Sequence, residues 1–168
     1  MLPRTLKNFN VFVDTHSWAG VAEEVTIPKI TKKTEDFRGA GMIGDVALVM
    51  GYEKLEGEVV YAGFDVKQYR QLGVCGTSDL PVRYVGIYER QDNCSYQNVE
   101  IYCRGQAIEL DPGSSKNGEK TETKMSYNYS YYRLEVDGVI EVELDFINGV
   151  ERFGASDIGQ QLRKLLGV

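Results

Sequence analysis

Apolar and polar residues alternate along much of the chain, the period expected of half-buried strands. Val99, Ile101 and Cys103 fall on one side of a predicted strand, and Glu100, Tyr102 and Arg104 on the other. Val82, Tyr84 and Tyr88 share a face that Val85 and Ile87 do not. Met125, Tyr127, Tyr129 and Tyr131 form a third set on odd positions, but Leu134 and Val136 continue on even ones. A one-residue slip swaps faces, so a β-bulge or bend is predicted at Tyr131-Tyr132. Val136-Asp137-Gly138-Val139 reads as a hairpin turn, because Asp-Gly tolerates positive φ, and the even register resumes through Ile140, Val142, Leu144 and Phe146.

Two helices are predicted. Over 64–72, Val66, Tyr69 and Leu72 recur at three-residue spacing and Gly73 is a natural stop. Over 156–166, Ser156 is the N-cap candidate and Asp157 suits the positive helix end. Ile158, Leu162, Leu165 and Leu166 then make one apolar stripe, with Gly167 closing the helix. The polar stretch from Asp111 to Lys124 reads as an exposed loop. Pro28 to Met50 breaks the strand pattern: a charged run feeds a Gly-rich hinge, and a short apolar run follows. That stretch reads as a loop whose ordering needs a partner.

With 168 residues the chain is one domain by length. It is long enough to bury roughly 70% of its unfolded surface. No apolar run approaches the ~20 residues of a membrane span, and no basic-then-apolar leader is visible, so export by that route is not expected. Cys75, Cys94 and Cys103 lack Cys-x-x-Cys spacing, which suits reduced thiols better than a disulfide frame or a zinc site. Nineteen basic and 25 acidic residues give a formal charge of −6. This argues against a generic nucleic-acid binder, which needs a basic footprint. It suits both an ordinary soluble acidic surface and a conduit along which DNA slides without sticking.

Candidate chemistry is sparse. Gly39-x-Gly41-x-x-Gly44 has dinucleotide-binding spacing, but a charged run precedes it and Asp45 to Met50 reads as strand, not helix. His16, the only histidine, lies near Asp14 without an obvious nucleophile and reads as a surface turn residue. One histidine and scattered cysteines give no tetrahedral ligand set, and no cofactor is expected. Glu141 and Glu143 share a strand face and read as solvated. The eleven tyrosines suit cross-strand packing or a subunit interface better than ligand stacking. On the residues alone, a soluble β-barrel ligand-binding module and a hydrolase using His16 or paired carboxylates stand beside a self-assembling structural protein.

The order and spacing of several short segments resemble the major tail tube proteins of contractile-tailed phages and the related tubes of R-type pyocins. The resemblance spans nearly the whole chain. It is carried by Leu2-Pro3-Arg4-Thr5-Leu6-Lys7-Asn8 with Phe12 and Asp14, by Thr26-Ile27-Pro28-Lys29-Ile30, and by Phe37-Arg38-Gly39-Ala40-Gly41-Met42. Further on it is carried by Arg104-Gly105, Asp111-Pro112-Gly113 with Lys116 and Gly118-Glu119, Tyr131-Tyr132 with Leu134, Val136 and Asp137-Gly138, Asn148-Gly149-Val150 and the final Leu-Leu-Gly-Val. Ser115 stands where the family commonly carries Trp, and the stretch from Val74 to Asn98 matches poorly.

The resemblance implies a mainly β, two-sheet sandwich or barrel-like tail tube fold over residues 1–168, with one or two short helices and a stacking loop over 29–44. It implies a non-enzymatic structural protein whose hexameric rings stack into the inner tube of a contractile tail, in a virion or phage-tail-like particle assembled in the bacterial cytoplasm. The implied partners are sheath protein, tape measure protein, a baseplate initiator and a tail terminator, with transient DNA passage if the particle is a phage. Within it, Lys32, Lys33, Glu35, Asp36, Phe37, Arg38, Gly39, Gly41 and Met42 are the expected inter-ring contacts. Ala47 to Met50 and Glu56 to Ala62 are the inner-wall candidates. Glu56 and Glu58 are the lumen-facing candidates, or else an ordinary solvent-facing pair.

Overall fold

The computed structural model describes residues 1–168. In chain order the elements are β1 (Arg4–Val13), β2 (His16–Ser17), β3 (Ala22–Thr26), β4 (Lys32–Phe37), β5 (Val46–Tyr52), β6 (Leu55–Ala62), α1 (Val66–Leu72), β7 (Leu80–Arg90), β8 (Ser95–Asp111), β9 (Glu122–Val136), β10 (Val139–Asp145), β11 (Val150–Phe153), β12 (Ser156–Asp157) and α2 (Gly159–Leu166). Ten strands form one sheet in the order β12-β11-β10-β9-β8-β7-β1-β2, with β6 joining β9 to β3, while β4 and β5 form a separate two-stranded sheet. This is the mainly β, two-sheet architecture with two short helices that the resemblance implies. No helix is long and apolar enough to cross a membrane.

The slip in β9 is real and lies one residue before the predicted place. Against β8, Arg104 pairs with Tyr131 and Gly105 with Tyr129, so Ser130 is the extra residue of a bulge. Its neighbours satisfy it: the Ser130 hydroxyl is within reach of the Thr77 and Arg104 carbonyls, and its carbonyl accepts from the Phe146 N–H at 3.0 Å. Before the bulge Met125, Tyr127 and Tyr129 face the core. After it Tyr132 and Leu134 do. Tyr131 is turned to the other face, where the Arg104 guanidinium lies 4.4 Å from its ring centre. The first half of β9 pairs with β6 and the second half with β10.

The core is the space between these strands. Val11 and Val13 of β1, Val82 and Tyr84 of β7, Ile101 and Cys103 of β8, and Leu55, Val59 and Tyr61 of β6 are buried with the β9 set, and Trp18 closes one end. The Asp137-Gly138 turn forms as predicted, with φ of 50° and 82° at its two residues, the signature of a primed hairpin turn. A second bulge, at Glu141, interrupts the even register of β10 that the alternation suggested. It also separates Glu141 from Glu143, whose carboxylate accepts from the Tyr131 hydroxyl at 2.9 Å.

Both helices differ from expectation in the face they bury. In α1, Gln68 and Gln71 are buried, while Val66, Tyr69 and Leu72 are exposed. The cause is the tyrosine-rich core. The Tyr61 and Tyr127 hydroxyls lie 3.0 Å apart, and Tyr127 donates to the Gln71 side-chain oxygen. Burial pushes the Tyr61 hydroxyl up to about 12, so it stays protonated and needs a hydrogen-bond partner. An amide supplies that need where a leucine would not. Asp65 caps α1 in a reciprocal capping box with Gln68. In α2, Ser156 and Asp157 belong to β12 and the helix starts at Gly159, with no side-chain cap at Ile158. Asp157 instead grips Arg163 at 2.6 Å, and this cation holds its carboxyl below the usual 3.8. Gly159 is required there, since a Cβ would meet the Gly149 carbonyl oxygen at 2.6 Å.

Gly105 is the tightest backbone approach in the sheet: a Cβ would lie 1.9 Å from the Asn128 carbonyl oxygen. Backbone cannot yield there as a side-chain tip would. Gly105→Ala should therefore destabilise the subunit by about 3 kcal/mol, read as a fall in the urea midpoint with an unchanged slope.

A candidate assembly interface

Most of the expected inter-ring residues lie on an arm, the β4–β5 hairpin. Lys32, Lys33, Glu35, Asp36 and Phe37 are on β4, and Arg38, Gly39, Gly41 and Met42 form its tip. The arm extends further than the sequence suggests. Ala47 to Met50, one of the inner-wall candidates, pair with β4: Asp36 with Ala47, Glu35 with Leu48 and Thr34 with Val49. The clue was present in the apolar run after the Gly-rich hinge, but length and hydrophobicity do not separate a wall strand from one awaiting a partner.

Every residue of β4 is exposed, as are Val46 to Met50. Phe37 keeps 52% of its surface, Val49 57% and Ile43 all of it. A two-stranded hairpin has only marginal stability by itself, and both outer edges of this one carry unpaired N–H and C=O groups. The tip holds its own shape. Gly41 takes φ of +83°, the Met42 N–H donates to the Gly39 carbonyl at 3.2 Å, and Arg38 reaches the Ile43 carbonyl at 3.3 Å.

The base is anchored to the body. The Glu53 N–H donates to the Thr31 carbonyl at 2.8 Å. The Tyr52 ring stacks on Phe146, centres 5.8 Å apart, and its hydroxyl donates to the Glu151 carboxylate. Burial and the neighbouring carboxylate push that hydroxyl up, so it remains a donor at any working pH. A bulge at Met50 and a φ of +132° at Gly51 set the direction in which the arm leaves. The sequence reading missed this clamp, because Tyr52, Phe146 and Glu151 are remote in the chain.

Glu56 and Glu58 are placed apart from the arm tip. They sit on one face of β6, beside Glu53 and Glu109, in an open concavity of about 590 Å³ lined mostly by polar and charged groups. An enclosed apolar pocket, which a barrel-type ligand carrier needs, is not what this is. His16 packs edge-on against Trp18 at 4.9 Å, and its Nε2 accepts from the Lys67 ammonium at 3.4 Å, with no nucleophile beside it. The Gly39–Gly44 segment is the arm tip and leads into β5, not a helix.

A packed β body carrying an exposed apolar arm and free sheet edges is the frame of a structural β protein rather than of an enclosed binding site. The model of the family "Phage tail tube protein FII" matches residues 3–167, and the chain belongs to that family. It is a structural tail tube component. It is 39% identical over 170 residues to the tail tube protein of Escherichia phage P2, covering 99% of both chains. It is 33% identical to the major tail tube protein of Serratia phage KSP20, covering 88% of this chain and 85% of that one. Its fold matches a chain from the sheath/tube terminator of the extracellular contractile injection system PVC, with TM-score 0.61 at 8% identity over 80% of this chain and 98% of that one. A chain from the extended sheath–tube complex of the same system matches with TM-score 0.60 at 8% identity, over 79% and 91%. At that identity the likeness shows the fold alone.

The isolated subunit should show the arm's lack of support directly. In hydrogen exchange, the amides of 32–37 and 46–50 should open with a free energy within about 1 kcal/mol of zero, while those of β8 and β9 report global stability. In the assembled state the arm amides should become protected.

Proposed function

We propose that the chain forms hexameric rings that stack, through the arm, into the hollow inner tube of a contractile tail or phage-tail-like particle. The observation that carries this reading is the exposed arm with its apolar anchors. The strands β2, β3 and β12 each have one unpaired edge, so neighbours in a ring have edges to pair, and closure into one large barrel removes them. Six arms act together at each ring-to-ring contact, so individually weak contacts become strong through avidity. Glu56 and Glu58 are proposed as lumen-facing, which is supported by their place with Glu53 and Glu109 on one open surface, where the acidic groups outnumber the cations Lys29 and Lys54. With a formal charge of −6 per chain, such a wall repels DNA and lets it slide, since binding would require cations to neutralise phosphate.

In this reading the protein is a passive conduit and not an enzyme. Its partners are sheath protein outside, tape measure protein inside, a baseplate initiator at one end and a tail terminator at the other. The 39% identity to the tail tube protein of Escherichia phage P2 supports the tail setting. The particle is assembled in the bacterial cytoplasm and the tube is carried in the virion or injector.

Phe37→Ala combined with Arg38→Glu tests the arm. Both side chains are exposed and Arg38 pairs only loosely with Asp45, at 3.9 Å, so the monomer should keep its fold and its thermal midpoint. Growth of tubes from seeds, followed by sedimentation, should be lost. Tubes of normal length from the double variant contradict the proposal.

A further inference from the structure

The two legs of the arm are rooted unequally. We propose that the turn between β10 and β11 preorganises the arm: by gripping Tyr52 it narrows the directions in which the arm leaves the body, and growth of the tube depends on that grip. This rests on the arm being the inter-ring contact and adds the residues that position it.

On the way into the arm, Ile30 packs against the core two residues before β4 begins. On the way out, Tyr52 packs there as well, and it is held at two further points. Its ring stacks on Phe146 with 21° between the planes, and its hydroxyl donates to the Glu151 carboxylate. The stack fixes the plane of the ring and the hydrogen bond fixes its far end, so the side chain is confined to one rotamer.

Phe146 and Glu151 belong to one hairpin, and that hairpin is stiff. The buried Asp145 carboxylate accepts from the Ile147 N–H at 3.1 Å, the Asn148 N–H at 3.0 Å and the Asn148 side-chain amide at 2.7 Å. The Phe146 N–H donates to the Ser130 carbonyl at 3.0 Å, which ties the turn to the bulge of β9. On the far side, the Glu151 carbonyl accepts from the Ile158 N–H at 2.8 Å, and Arg163 reaches the Gly149 carbonyl at 3.0 Å. Through Tyr52 the arm is thus referred to the most heavily paired part of the body.

Beyond Tyr52 no strand of the body pairs with the arm. An arm free at its root samples many directions, and only a few of them meet the next ring. Each direction excluded beforehand is ordering entropy that docking does not have to overcome. Six arms order at every ring, so the gain is multiplied.

Three variants of the full chain test the grip. Tyr52→Phe keeps the stack and removes the hydrogen bond. Glu151→Ala removes the same bond from the other side, and Glu151→Gln retains an oxygen to accept it. Thermal midpoints of all three should stay within about 4 °C of the parent, since one hydrogen bond is at stake. Spin labels on the exposed Cys94 and on Lys33→Cys near the arm's root, in a chain carrying Cys75→Ser, read the arm's direction in unassembled protein. The distance distribution should be broader in Tyr52→Phe and Glu151→Ala than in the parent, with Glu151→Gln like the parent. In unlabelled chains, the same two variants should raise the critical concentration for seeded growth about tenfold, and combining them should add nothing. Equal widths in parent and variants overturn the grip. Broadening with an unchanged critical concentration overturns its role in growth. Normal growth of the Phe37→Ala/Arg38→Glu chain overturns the arm reading itself, and this inference with it.

Discussion

Ser130 is the point at which β9 changes partners. β9 is laid along β8 for its whole length, but it serves β6 before the bulge and β10 after it. One extra residue makes that possible, because it rotates the strand by one face and bends it. Tyr129 then closes the core over Gly57, where a Cβ would lie 2.7 Å from its ring, and Tyr132 continues the core on the other side of the bend. Without the bulge, either Tyr127 and Tyr129 or Tyr132 and Leu134 would be forced outward. That register shift lets one strand serve both halves of the body.

A core so rich in tyrosine imposes a further constraint. Hydroxyls buried at its end require polar partners, and α1 answers by turning Gln71 inward to the Tyr127 hydroxyl. The apolar residues of the helix are then left on the surface. Something similar holds for the arm, which has no body strand beneath it, and for α2, whose Leu162, Leu165 and Leu166 face outward. A monomer exposing three apolar surfaces is unusual for a soluble protein. It accords with membership of a tail tube family.

Much of this was legible in the chain. Strand alternation, the phase slip in β9 and the Asp137-Gly138 turn all follow from local residue pattern, and local pattern is what sequence carries best. The arm's position was legible because a charged run, a Gly hinge and an apolar run are unlike any core strand. Its second strand was not, since Ala47 to Met50 has the composition of a buried strand and only the partner distinguishes the two. The buried faces of α1 and α2 were misread for a common reason. Apolar spacing marks a face that will be covered, but it does not say whether the cover comes from the same chain. The Tyr52–Phe146–Glu151 clamp was invisible because it joins three segments distant in sequence.

Assembly is what the uncovered arm and helix surfaces of this subunit call for. Electron microscopy of the purified protein at high concentration, with and without baseplate seeds, tests it most directly. Hollow tubes of uniform width with regular ring striations are the predicted result. Monomers alone, even on seeds, would contradict the claim that the uncovered surfaces of this subunit are completed by its own copies.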